Sequence, residues 1–201
     1  MNGTELVVRT IAETAIANEK YFGDLDSVVG DGDFGYSLAR GFEKLLDGWA
    51  DLDRTNAGSF LKRCGMTIAS RIGGTSGPIW GTAFLRAGAA AGEPLDRARV
   101  AAMLRAAIDG IKARGQSDVG DKTLLDALVP FTDSLEKSGD LATAARAARE
   151  AAEATSAMVA KRGRAAYTGE RSRGSVDAGA MAVAVIAERI SDVWQPEVTG
   201  S

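Results

Sequence analysis

Leu25-Asp26-Ser27-Val28-Val29-Gly30-Asp31-Gly32-Asp33-Phe34-Gly35 is the stretch on which the reading of the fold turns. From Gly30 to Gly35 it holds a literal GxGxxG, the pattern of a dinucleotide-binding turn, which would make the chain an α/β protein. Its surroundings argue against that fold. No strand–helix unit flanks the glycines, and aspartates at 31 and 33 repel a pyrophosphate unless a cation intervenes. An EF-hand fails too, because counted from Asp31 Gly35 stands at the fifth, ligand position, Tyr36 at the sixth, where glycine belongs, and Phe42 where the closing glutamate belongs. What remains is a group of short carboxylates, Asp26, Asp31 and Asp33, among glycines. Carboxylates brought together repel one another unless divalent ions neutralise them, and Mg²⁺ commonly takes one or two of them plus phosphate oxygens. A Mg–phosphate site is therefore one reading. An Asp/Gly turn in which Asp33 caps the following helix is the other, and spacing alone does not choose between them.

Outward from this stretch the periodicity is helical. Leu38, Phe42, Leu45, Leu46 and Trp49 line one helix face, as do Val100, Met103, Leu104, Ile108 and Ile111, with Gly115 where a C-terminal cap belongs. Further helices are predicted over Glu5–Asn18, Ala57–Ile72, Trp80–Ala91, Thr123–Lys137, Leu141–Lys161 and Ala178–Trp194, eight in all. Nowhere do two alternating β-branched runs face each other across a turn, so the fold class is all-α. The alanine-rich segment from Leu141 reads as a packed helix rather than a linker. Its charges Arg146, Arg149, Glu150 and Glu153 fall three or four apart on one side. Met66, Trp80, Phe84, Met181 and Cys64 are expected in the core.

The 201 residues, 45% hydrophobic and 25% charged, suit a single globular domain over 1–201. No apolar run is long enough for a membrane span, and the N-terminus lacks the build of a signal peptide, so a cytoplasmic location is expected. A net charge of −3 argues against nucleic-acid binding. The absence of histidine excludes Ser-His-Asp and Cys-His triads and His-ligated metals, and the lone Cys64 excludes intrachain disulfides and Cys-based zinc clusters. Chemistry here falls to carboxylates, hydroxyls, Lys, Arg and backbone; a metal, if present, is a hard cation such as Mg²⁺.

Three more connections hold the remaining glycines and charges. Gly73-Gly74-Thr75-Ser76-Gly77-Pro78 leads into a helix and offers N–H groups to an anion, though ordinary capping explains it nearly as well. Gly115 to Thr123 resembles a P-loop with one residue too many and no strand before it, so Walker A is improbable. The segment from Lys161 to Ala180 is basic within an acidic chain and reads equally as a solvated loop or one facing phosphate.

Taken together these loops resemble the nucleotide-binding L subunit family of dihydroxyacetone kinases, over about Ala12 to Ile190. The family's aspartate followed by G-D-x-D-H-G-x-N is similar to Asp26 and Gly30–Ser37. Its G-G-x-S-G-P with a following G-T corresponds to Gly73–Pro78 and Gly81-Thr82, its G-D-K-T to Gly120–Thr123, and its K-G-R-A-x-Y-x-G-E-R-S and D-P-G-A to Lys161–Ser172 and Asp177–Ala180. The resemblance implies an eight-helix antiparallel up-and-down barrel with ADP or ATP held in the loops at one end. It implies that Asp26, Asp31 and Asp33 bind two Mg²⁺ and, with Arg164, serve phosphoryl transfer. Phe34, Gly35, Ser37, Thr75, Ser76, Gly115, Leu124, Arg164, Asp177 and Gly179 would line the nucleotide.

By the same resemblance a K-type partner subunit presents a small keto sugar on a histidine, and a phosphotransferase-system protein serves as phosphoryl donor in some systems. A place in glycerol metabolism follows from that family. A chain without histidine fits the nucleotide half. Three positions depart from the pattern: Phe34 replaces histidine, Ser37 asparagine and Ala178 proline. Phe34 either faces the phosphates without donating a hydrogen bond or faces the helical core. The departures keep a nucleotide-binding regulator or adaptor without efficient transfer as the alternative to a kinase subunit.

Overall fold

Asn2, Asn56, Asp96 and Asp140 each sit in extended backbone and accept an amide through the side chain, from Glu5, Ser59, Arg99 and Thr143 at 2.8–2.9 Å. They start four helices: α1 (Gly3–Ala17), α4 (Ala57–Arg71), α6 (Arg97–Gly115) and α8 (Leu141–Ala154). Between and after these run α2 (Glu19–Ser27), α3 (Phe34–Asp47), α5 (Ser76–Ala90), α7 (Leu125–Ser138) and α9 (Ala178–Val193). The computed structural model describes residues 2–194. Met1 and residues 195–201, the ends of the expected 1–201 domain, lie outside the described residues. No strand occurs among the described residues, and no helix there is long and apolar enough to cross a membrane.

Each long helix packs on the next, α1 on α3, then α4 through α9 in order, and α9 returns to α1, closing a barrel. The neighbours run up and down. Gly3, opening α1, abuts the Trp194 ring just after α9, and Gly58 near the start of α4 lies against Gly88 near the end of α5. Along the α4–α5 seam a Cβ at Gly65 would stand 2.9 Å from the Gly81 carbonyl oxygen, and one at Gly88 2.9 Å from that of Gly58. The two backbones touch there, which only glycine permits. The barrel core is filled by small side chains on α8 and α9 (Ala144, Ala145, Ala148, Ala182, Ala184) against Leu38, Phe42, Leu45 and Ile68. Phe42 meets Trp80 edge-on at 6.1 Å.

Several sequence expectations are corrected. Glu19–Ser27, which none of the eight predicted helices includes, is helical: α2 continues α1 after a bend at Asn18, so eight staves contain nine α-helices among the described residues. The alanine-rich helix ends at Ala154, not Lys161, and passes into a 3₁₀ turn at Thr155–Ala157. The left-handed residue closing α6 is Gln116 (φ 47°), not Gly115. Met66 and Val100 are exposed rather than core, whereas Trp80, Phe84, Met181 and Cys64 are buried. Burial pushes the Cys64 thiol up to about 12. The outer face of α8 is held to α9 by Arg149, whose Nε donates to Glu188 Oε1 at 2.7 Å.

Candidate functional site

Because α1, α4, α6 and α8 start at the far end, the connections at the opposite end carry the four stretches singled out above. They meet one another. The Arg164 guanidinium pairs with Asp31, joining the 161–173 segment to the 28–33 loop. A Cβ on Gly73 would lie 3.5 Å from Ser37 Oγ, so the 73–76 loop borders the start of α3. Gly115 faces Ile79 of α5, and Gly179 faces Leu124 at the start of α7. One end of the barrel thus gathers the expected site residues.

Two helix starts at this end are built differently from those at the far end. Asp33 precedes α3 and Thr75 precedes α5, and neither side chain caps its helix. Asp33 Oδ2 instead accepts from Ser37 Oγ at 2.9 Å. The capping alternative for these two stretches is therefore not what the backbone adopts. The Gly35 and Tyr36 amides of α3 and the Ser76 and Gly77 amides of α5, with the positive ends of two helix dipoles, are left for another acceptor. At α9, by contrast, Asp177 caps in the ordinary way, accepting from the Ala180 amide at 2.7 Å.

Asp26 lies on α2, not in a loop, and its Oδ2 accepts from the Phe34 amide at 3.3 Å. Asp26, Asp31 and Asp33 are thus each tied, to Phe34, Arg164 and Ser37, and no hydrogen bond among the described residues engages the Oδ1 of Asp26 or Asp33. As placed they do not converge: no group of three or more acidic, histidine or cysteine side chains among the described residues is arranged to hold a metal ion. The donor set, all hard carboxylate oxygen, fits Mg²⁺ by chemistry. Gly30 is required beside Asp26, since a Cβ there would collide with its carboxylate.

Negative charge accumulates deeper in the same end. Burial raises Asp177 to about 7; the charges of Asp126 and Asp26 add to this, and the Ala180 amide and Lys122 oppose it. Phe34 does not present its ring as a loop-facing group: the ring packs 6.3 Å from that of the fully buried Phe22 and against the core. Gly35 packs backbone to backbone on α2, where a Cβ would collide with the Glu19 carbonyl.

One set of residues escaped sequence reasoning. Lys122 is almost wholly buried, and its Nζ donates to the carbonyls of Met158 (3.3 Å), Ser175 (2.7 Å) and Ser172. Asp126 takes the Gly120 and Thr123 amides at 2.6 and 2.7 Å, and Thr155 Oγ1 takes the Asp177 amide at 2.8 Å. The sequence signals were the P-loop-like look of Gly115–Thr123 and the G-D-K-T match at Gly120–Thr123; Lys122 there points inward, away from any Walker role.

A closed barrel of helices with two uncapped helix starts, an arginine and a row of carboxylates at one end defines an all-α anion-binding architecture. Residues 28–192 match the DAK2 domain family, and the chain belongs to that family. It is 39% identical over 174 residues to the PEP-dependent dihydroxyacetone kinase, ADP-binding subunit DhaL, of Escherichia coli (strain K12), covering 82% of this chain and 83% of that one. It is 37% identical to the L-erythrulose 1-kinase of Mycolicibacterium smegmatis over 92% of this chain but 34% of that protein. Among solved structures, the dihydroxyacetone kinase of C. freundii in complex with AMP-PNP and Mg²⁺ superposes with a TM-score of 0.79 at 26% identity, over 96% of this chain and 34% of that one. The chain therefore spans about a third of the two longer kinases.

Proposed function

We propose that the loop end of the barrel binds a Mg–adenine nucleotide, ADP or ATP, and that the chain is the nucleotide-binding subunit of a dihydroxyacetone-type kinase. The observation that carries this reading is the pair of uncapped helix starts at α3 and α5, set beside Arg164 in a chain whose far-end helices are all side-chain capped. A phosphate chain is the acceptor such amides and a guanidinium suit. The similarity to a subunit named for ADP binding, and to a kinase crystallised with AMP-PNP and Mg²⁺, supports the same reading.

In this account Gly35, Ser37, Thr75 and Ser76 take the phosphates through amides and hydroxyls, and Arg164 balances charge that develops on the transferred group. Ile79 beside Gly115 and Leu124 beside Gly179 offer the base an apolar seat. Asp26, Asp31 and Asp33 would hold Mg²⁺, two ions by family resemblance, which when bound neutralises phosphate charge. Holding metal, Asp31 would give up its Arg164 partner, whose guanidinium would then be free for phosphate. Without histidine the chain has no means of holding a keto sugar covalently by imidazole, so a K-type partner subunit presents dihydroxyacetone or a related triose or tetrose.

The test is reconstitution. The purified chain is combined with its K-type partner, a panel of trioses and tetroses, and either ATP or phosphoenolpyruvate with phosphotransferase-system donor proteins. Sugar phosphate is expected only when both chains and one donor are present. ADP binding without turnover in any combination would instead assign the chain to a regulatory or adaptor role.

A further inference from the structure

Three chain segments that sequence separates widely are fastened at one buried ammonium. Lys122 is 2% exposed, and its three N–H donors face three backbone carbonyls, those of Met158, Ser172 and Ser175. An ammonium has three donors and no acceptor, so this set uses its whole capacity and leaves none for a ligand. Its surroundings are equally committed. Ser172 is fully buried, accepts from the Ala160 amide at 2.9 Å and donates to the Gly169 carbonyl at 2.7 Å. The Lys161 amide donates to the Asp121 carbonyl at 3.1 Å, and Gly174 to Ser156 at 2.7 Å.

Lys122 holds a left-handed backbone, φ 63°, unusual for a residue with a side chain. Asp126 pins the loop on both sides of it through Gly120 and Thr123. A glycine would enter this conformation without strain, so the side chain is what the position uses. Burial lowers the lysine's affinity for its proton while the Asp177 charge opposes that shift. The segment that Lys122 fastens runs from Met158 to Ser175 and includes Arg164, the residue paired with Asp31.

We propose that Lys122 is a positioning residue, whose buried ammonium fastens the 158–175 segment to the 115–124 loop and so sets where Arg164 stands over the Asp26–Asp33 loop. Its bearing on nucleotide rests on the function proposed above; the fastening itself does not. Two variants test it. Lys122→Met removes the donors at similar length. Lys122→Gln keeps two donors in place of three, on a shorter arm, and so loosens the same junction more mildly, which keeps the test decisive if the first variant does not fold.

Hydrogen exchange of the nucleotide-free chain is the first measurement. Faster exchange confined to about 155–177 in either folded variant, with α1 and α4 to α6 unchanged, is expected. No change, or a uniform rise across the barrel, overturns the proposal. Calorimetric binding of Mg–ADP is the second. Lys122→Met should weaken it about tenfold, as loss of a supporting residue commonly does, yet by less than about twofold when Arg164 is already alanine, because the effect passes through Arg164. Equal weakening on both backgrounds overturns the positioning role. A wild-type chain that binds no Mg–ADP would sink the proposed function while the exchange result still decides the fastening.

Discussion

At Phe34 the two halves of one residue serve different ends: the amide reaches Asp26 at the loop end, and the ring joins Phe22 in the core. An imidazole introduced there would lose apolar contact and bring polar nitrogens beside buried aromatics. Phe34→His is therefore expected to lower stability by about 1–3 kcal/mol and to leave Mg–ADP affinity unchanged; paired melting and titration experiments check this. Asp177 gives a pH signature. Its carboxyl is raised from 3.8 to about 7 chiefly by burial, so the folded chain binds a proton that the unfolded chain has already released between those values. The associated stability is present below about pH 4 and is lost as pH rises through about 7. Asp177→Asn, which keeps a capping oxygen, should flatten that decline and be the more stable chain above pH 7 in melting curves without nucleotide. Of these residues, the sequence pointed to the loop-end aspartates because short carboxylates among glycines are unusual. It could not show which way Phe34 turns, since a helix's first turn borders core and solvent alike. Nor could it show Lys122, whose partners lie 36 to 53 residues away.

Among the elements, the two ends of the barrel differ in capping: the four far-end starts are all side-chain capped, whereas α3 and α5 at the loop end are not. Asp140 caps α8 through the Thr143 amide at 2.8 Å, remote from the loop end. Asp140→Ala is expected to cost about 1 kcal/mol in denaturant unfolding and to leave Mg–ADP titrations untouched. Equal loss of both would mean that the two ends are not separate in function. The long helices were legible because their apolar faces repeat over three or more turns, as at Leu38, Phe42 and Leu45, all fully buried. Helix α2 was not, because its nine residues bury only Phe22 and include a glycine and two aspartates. The overrun of α8 has the same kind of cause. Ala-rich composition favours helix up to Lys161, but Thr155 and Met158 are taken by Asp177 and Lys122 across the barrel end, contacts that local propensity does not register.

For the molecule as a whole, closure of α9 onto α1 brings the four loops to one end and leaves the other as a set of self-capped helix starts. A ring of helices presenting amides, an arginine and three carboxylates is suited to hold a charged ligand, and in the function proposed above the reacting sugar arrives on another chain. The central claim is that this end is a Mg–nucleotide site in which Asp31 is a metal ligand. Isothermal titration of ADP with Mg²⁺ into the wild-type chain and into Asp31→Ala, with circular dichroism of both, tests it most directly. The account predicts about one nucleotide per wild-type chain, binding abolished by EDTA, and at least about tenfold weaker binding in the variant at unchanged helicity. Wild-type affinity in Asp31→Ala, or ADP binding indifferent to Mg²⁺, would contradict it.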